Sequence, residues 1–177
     1  MYFSKFDKGF YDINGDGNQK LVTDLMTRVK VREKILNESM LYDTYDVPAG
    51  EKPEDTSFKH FGSSQFHWVI LLTNNITDRY YGWPLSFQDF ESYITEKYTN
   101  PDGIHHYEIT QSSGPQTGNG PDDYSHKVEV NSTVSGAQSV SNREYEQRLQ
   151  DEKRQIKLLN PSYLQTFIEE FNSLIRN

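Results

Sequence analysis

Gln65-Phe66-His67-Trp68-Val69-Ile70-Leu71-Leu72-Thr73 is the most hydrophobic run in the chain, and its reading decides the fold. It suits a short helix buried on most sides, with Ser64 as its N-cap and Asn74-Asn75 as its stop. Its apolar centre, Trp68 to Leu72, is far too short to cross a bilayer. Upstream, Pro53 to Phe61 reads as another short helix, with Pro53 in its first turn and Gly62 at its end. Before that, Leu41-Tyr42-Asp43-Thr44-Tyr45-Asp46-Val47 alternates with period two and runs into Pro48-Ala49-Gly50, a strand entering a turn. The centre of the chain is therefore a strand followed by two helices, with Trp68 in the middle of the core.

Working outward, residues 1–19 alternate aromatic and polar positions and break at the turn-rich Asn14-Gly15-Asp16-Gly17-Asn18. Lys20 to Leu36 reads as a helix, because Leu21, Val22, Leu25, Met26 and Val29 fall on one stripe. On the other side, Ser86 caps a helix that carries Phe87, Phe90, Tyr93, Ile94 and Tyr98 on one face. Between Thr99 and Asn142 the chain becomes rich in turns, with strands over Ile104 to Thr110 and His126 to Val134. A tip at Gly114-Pro115 and Gly118 to Pro121 divides them, and Ser135 to Asn142 reads as a linker. Asn142 to Gln155 is a very polar helix of the kind that bridges to another body. Gln155 to Leu159 turns extended, and Asn160-Pro161 starts a helix whose stripe is Tyr163, Leu164, Phe167, Ile168, Phe171, Leu174 and Ile175. The pattern is α+β, in four segments: 1–38, 39–98, 99–142 and 143–177.

Composition narrows the function. Hydrophobic residues are only 34% of the 177, yet aromatics reach 14%, which argues against disorder and for contact surfaces as well as a core. A net charge of −8 without a basic run excludes binding to a phosphate backbone, so no nucleic acid is expected. With no cysteine there is neither a disulfide framework nor a thiol nucleophile. The start, Met1-Tyr2-Phe3-Ser4-Lys5-Phe6-Asp7, lacks the apolar run of a signal peptide, and no membrane partner is expected.

Candidate chemistry is sparse. Asp12-x-Asn14-x-Asp16-Gly17 opens like a calcium loop of the EF-hand type, with oxygens at alternate positions and a glycine at the bend. The twelfth position is Thr23 where a bidentate glutamate belongs, so a polar turn is the expected reading and no metal is assigned. His105 and His106 are adjacent on a strand, which sends them to opposite faces, with His126 across the hairpin. No phosphate loop, nucleophile elbow or zinc-protease motif occurs. No catalytic residue and no cofactor are expected, and the chain reads as a non-enzyme.

Tyr45-Asp46-Val47 with Gly50-Glu51, then Phe58, His60-Phe61-Gly62, then Leu71-Leu72 and Asn74-Asn75 together resemble a LysM module. That resemblance implies a small strand-helix-helix-strand core with helical arms at both ends and a β-rich insertion. On its own it implies binding to peptidoglycan or chitin-like glycans, although Tyr81-Gly82-Trp83-Pro84 stands near where LysM modules end their second strand in isoleucine-proline. A longer set is more specific: Lys52-Pro53-Glu54, His60-Phe61-Gly62, Phe66 to Leu72 and Tyr80-Tyr81-Gly82-Trp83-Pro84, with Thr23-Asp24-Leu25 before and Asp151 to Lys157 after. Together these resemble the baseplate wedge subunit of T-even-type contractile-tailed bacteriophages that contains a LysM-like domain. The resemblance implies a non-enzymatic structural protein of the virion tail baseplate, assembled in the host cytoplasm. It further implies a place in each of six wedges, clamping neighbouring wedge proteins. Aromatic and cationic side chains are the expected anchors of such contacts: Tyr80, Tyr81 and Trp83 first, then Tyr145, Arg154, Phe167 and Phe171.

Overall fold

The computed structural model describes residues 5–26, 28–31, 35, 38, 40–112 and 122–175. It is an α+β protein in two compact units, one formed by residues 1–84 with 153–177 and the other by 85–152.

The first unit begins with a hairpin, β1 (Lys8–Tyr11) and β2 (Lys20–Thr23), which pairs Phe10 with Leu21. A strand thus occupies the start of the segment expected to be helical, and Asp24 to Met26 and Arg28 to Val31 continue without helix. The Asn14 to Asn18 turn lets Lys20-Leu21-Val22-Thr23 pair backwards, and β-branched Val22 and Thr23 favour the strand. The rest of that expected helix lies largely outside the described residues.

Next comes the strand read from period two, β3 (Tyr42–Asp46). It leads to α1 (Pro53–Phe61), with Pro53 at its first position and Gly62 in the left-handed conformation at its end, φ 73°. A short 3₁₀ turn, Ser64–Phe66, precedes α2 (His67–Thr73). The cap is Ser63, one residue earlier than expected, whose hydroxyl accepts from the Gln65 N–H. A one-turn helix α3 (Arg79–Gly82) closes this half.

The chain returns to this unit as β7 (Gln155–Leu159), antiparallel to β3 with Thr44 opposite Lys157. The strand that completes strand-helix-helix-strand thus comes more than 70 residues after α2. The closing helix, α6 (Leu164–Ile175), follows a 3₁₀ turn at Pro161–Tyr163 that Asn160 caps through the Ser162 N–H. It lays Phe171 and Ile175 into a core with Tyr42, Trp68, Val69 and Leu159. The Trp68 and Phe171 ring centroids are 4.8 Å apart. The sequence sets this helix apart as an arm; instead Leu164, Phe167, Ile168, Phe171 and Ile175 of its apolar stripe pack into the core that holds Trp68, while Tyr163 and Leu174 stay exposed. A second cluster joins Val47, Ile70, Trp83, Ile156 and Leu158.

The second unit contains α4 (Phe87–Lys97), capped by Ser86 as expected. It also holds a three-stranded sheet of order β5-β4-β6, built from β4 (Ile104–Gln111), β5 (His126–Val130) and β6 (Gln138–Ser141). The strand β6 lies where a linker was expected; Val140 is only 1% exposed, and one buried valine is too faint a periodic signal to read. The tip at Gly114 to Pro121 lies outside the described residues. Helix α5 (Asn142–Arg154) begins in this unit. Its buried Glu146 takes hydrogen bonds from Lys97 Nζ and the Tyr98 hydroxyl, both at 2.7 Å. This helix is polar because its inward face is made of ion pairs.

Candidate functional site: an exposed aromatic surface

Tyr80 and Tyr81 are presented by α3. The Asp78 carboxylate accepts from the N–H groups of Tyr80 (2.8 Å) and Tyr81 (3.3 Å), which starts the turn. Arg79 pairs with Glu54 at 2.7 Å, tying α3 to α1. Its last residue is Gly82, where a Cβ would lie 2.8 Å from the Ile76 Cγ2 atom, and the chain turns extended at Trp83. The result is a pinned turn whose two tyrosines stand 79% and 66% exposed. Large aromatics held this openly are what an interface uses as anchors.

The other five expected anchors are placed differently. Trp83 is 5% exposed, and its indole N–H donates to the Glu51 carbonyl at 2.8 Å. Phe171 is buried against Trp68, and Phe167 is half-buried beside the same indole. Arg154 donates through Nε to the Val47 carbonyl and pairs with Asp46 at 3.3 Å, so it latches β7 to the end of β3. Tyr145 stacks on His105 at 4.0 Å with the rings nearly parallel. Only the two tyrosines are openly displayed.

The hairpin and the segment just after it add side chains that sequence reasoning did not select. Phe10 (71%), Leu21 (57%) and Met26 (92%) are exposed. A two-stranded hairpin is barely stable alone, and its Phe10–Leu21 pair is left uncovered. The signal was present in the alternation of residues 1–19, but a helical stripe assigned to Leu21 and Met26 concealed it.

Electrostatics in both units are structural. Burial pushes the Glu51 carboxyl up, but Lys59, Thr56 and Tyr45 all donate to it and hold it below its ordinary value. In the second unit Arg148 forks onto Glu108 at 2.7 and 3.0 Å, and Lys127 also donates. These donors hold Glu108 at about 2. Arg143 bridges Glu91 and Asp102.

The loop that opens like a calcium site is closed by its own hydrogen bonds. Asp12 turns inward and accepts from the N–H groups of Asn14, Gly15, Asp16 and Gly17. Those bonds, the one from Gly17 foremost, hold its pKa down. Its oxygens are directed at backbone amides. A bulge between Ile104 and His106 overturns the expectation that His105 and His106 face opposite ways: their Nδ1 atoms are 2.8 Å apart. His126 pairs with Gln111, away from them. Among the described residues, no group of three His, Asp or Glu side chains is placed to hold a metal ion. Among them, too, no helix is long and apolar enough to cross a membrane.

Comparison with known proteins places this scaffold. Residues 1–114 match the family described as base plate wedge protein 53. The chain belongs to this baseplate wedge family. Baseplate wedge protein gp53 of Enterobacteria phage T4 is 28% identical over 106 residues, covering 58% of this chain and 54% of the relative. The chain thus spans about half the length of the curated relative it matches. The family match runs from the hairpin through α3 and its tyrosines to β4.

Proposed function

We propose that this chain is a structural component of a contractile phage tail baseplate wedge, and that it clamps neighbouring wedge proteins through the exposed side chains of its first unit. Membership of the wedge family carries this reading. The uncovered aromatics supply its physical means: Tyr80 and Tyr81 on a turn pinned by Asp78 and Arg79, with Phe10 and Leu21 on the hairpin. Burying large aromatics on a partner gives contacts whose loss costs about 2 kcal/mol or more each. Arg154, Phe167 and Phe171 then serve by holding the scaffold that presents them, while Tyr145 orders the second unit through its stack on His105.

The test is a pull-down of the full chain with the other wedge proteins of the same tail, comparing the parent with a Tyr80→Ala, Tyr81→Ala double variant. The variant should melt like the parent, since neither ring is buried, and lose at least about tenfold in affinity. Unchanged binding removes the tyrosines from the clamp. Retention on peptidoglycan without binding to any wedge protein replaces the clamp by a glycan-binding module.

A further inference from the structure

The two-stranded core sheet has one closed edge and one open edge. On β7, the Asn74 side chain donates to the Lys157 carbonyl at 2.9 Å and accepts from the Lys157 N–H at 2.8 Å. His60 Nε2 lies 2.8 Å from the Leu159 carbonyl. Two side chains therefore occupy the outer backbone of β7, as an added strand does. In an antiparallel pair, facing and outward residues alternate. Lys157 and Leu159 face outward, so Ile156 and Leu158 face β3 and bond with Tyr45 and Asp43. The bonds from the Val47 N–H to the Arg154 carbonyl and from the Asn160 N–H to the Leu41 carbonyl keep that phase. Tyr42, Thr44 and Asp46 must then turn their N–H and C=O groups away from β7. Among the described residues, no hydrogen bond reaches these outward groups of Thr44 and Asp46. Asp43, Thr44 and Asp46 are exposed.

We infer that the outer edge of β3 is a strand-addition site, and that its occupant is an extended, lysine- or arginine-bearing segment of a neighbouring wedge protein. Main-chain bonds to an exposed edge supply affinity, and alternate side chains supply selectivity. Here the selectivity is electrostatic. Asp43 and Asp46 flank Thr44; Asp46 also pairs with Arg154 at 3.3 Å but its side chain stays 68% exposed, and opposite charges across a strand pair are favourable while like charges are not. A second copy of this chain would bring the same two aspartates to the same seam, so the carboxylates guard the edge against self-pairing. They admit a cationic strand. The identity of the segment's owner rests on the wedge reading above; the edge itself does not.

Amide hydrogen exchange at Thr44 and Asp46 of the full chain tests this, in the presence of the other wedge proteins and, separately, of a six-residue peptide alternating lysine and valine. Both should slow exchange at these amides, and a glutamate–valine peptide should not. Thr44→Pro removes the outward N–H without touching the ladder to β7; it should melt like the parent and lose about tenfold in binding. Thr44→Ala should bind like the parent. Protection by the lysine peptide with no binding to any wedge protein keeps the edge and sinks the wedge reading. Wedge proteins that bind while both amides stay unprotected overturn the edge and keep the wedge. Equal loss in the alanine and proline variants, or protection on self-association of the parent, also overturns it. Should Thr44→Pro fail to fold, the exchange measurement on the parent decides.

Discussion

The indole N–H of Trp83 donates to the backbone carbonyl of Glu51 at 2.8 Å, joining the end of α3 to the turn before α1. The same ring packs on Val47, Ile70, Ile156 and Leu158. Trp83 is therefore what fixes the base of the turn that displays Tyr80 and Tyr81. Trp83→Phe keeps an aromatic but leaves that carbonyl without its donor. A loss of about 1–3 kcal/mol is expected, read from denaturant melts. A variant as stable as the parent contradicts this placement.

Trp68 is the second fixed point, 7% exposed between Val69 and the Phe171 ring. Trp68→Ala should cost about 3–5 kcal/mol, the range for deleting a large buried aromatic. Thermal unfolding checks this, and a parental melting temperature removes Trp68 from the core.

Ending the chain at Arg154 deletes β7 and α6. That removes the partner strand of β3 and the buried Ile156, Leu158, Leu159, Phe171 and Ile175. The truncated chain should lose cooperative melting of its first unit, followed by the fluorescence of Trp68 and Trp83. Retention of a sharp transition would return these elements to the status of an arm.

Acid should weaken the second unit through Glu108. Its carboxyl is depressed from an ordinary 4.5 to about 2, first by the Arg148 fork and then by Lys127, against the opposing push of burial. A depressed carboxylate stabilises the fold above its unfolded pKa and loses that contribution as pH falls through the folded one. Stability should therefore decline as pH drops from about 4.5 toward 2. Glu108→Gln should flatten that decline while lowering stability at neutral pH. A variant with the parent's acid profile assigns the loss to other carboxylates.

Much of the fold was legible in local signals. Pro53, Gly62, Ser86 and Asn160-Pro161 mark the ends of elements by backbone rules that need no tertiary context, and each stands where those rules put it. Lys20 to Thr23 was misread because Leu21, Val22 and Met26 match a helical stripe, while the pairing that makes a strand comes from Phe10 across the loop. The role of β7 was hidden because its partner, β3, lies more than 100 residues away. At the site, Tyr80 and Tyr81 were legible by residue type. Trp83 shares that type and adjacency, but only Glu51 and Ile70 decide that it turns inward.

Size-exclusion chromatography with light scattering, on the full chain alone and mixed with the other wedge proteins of its tail, tests the central claim most directly. The account predicts a stable larger complex with at least one of them, lost in the Tyr80→Ala, Tyr81→Ala variant. A chain that elutes alone from every mixture contradicts it.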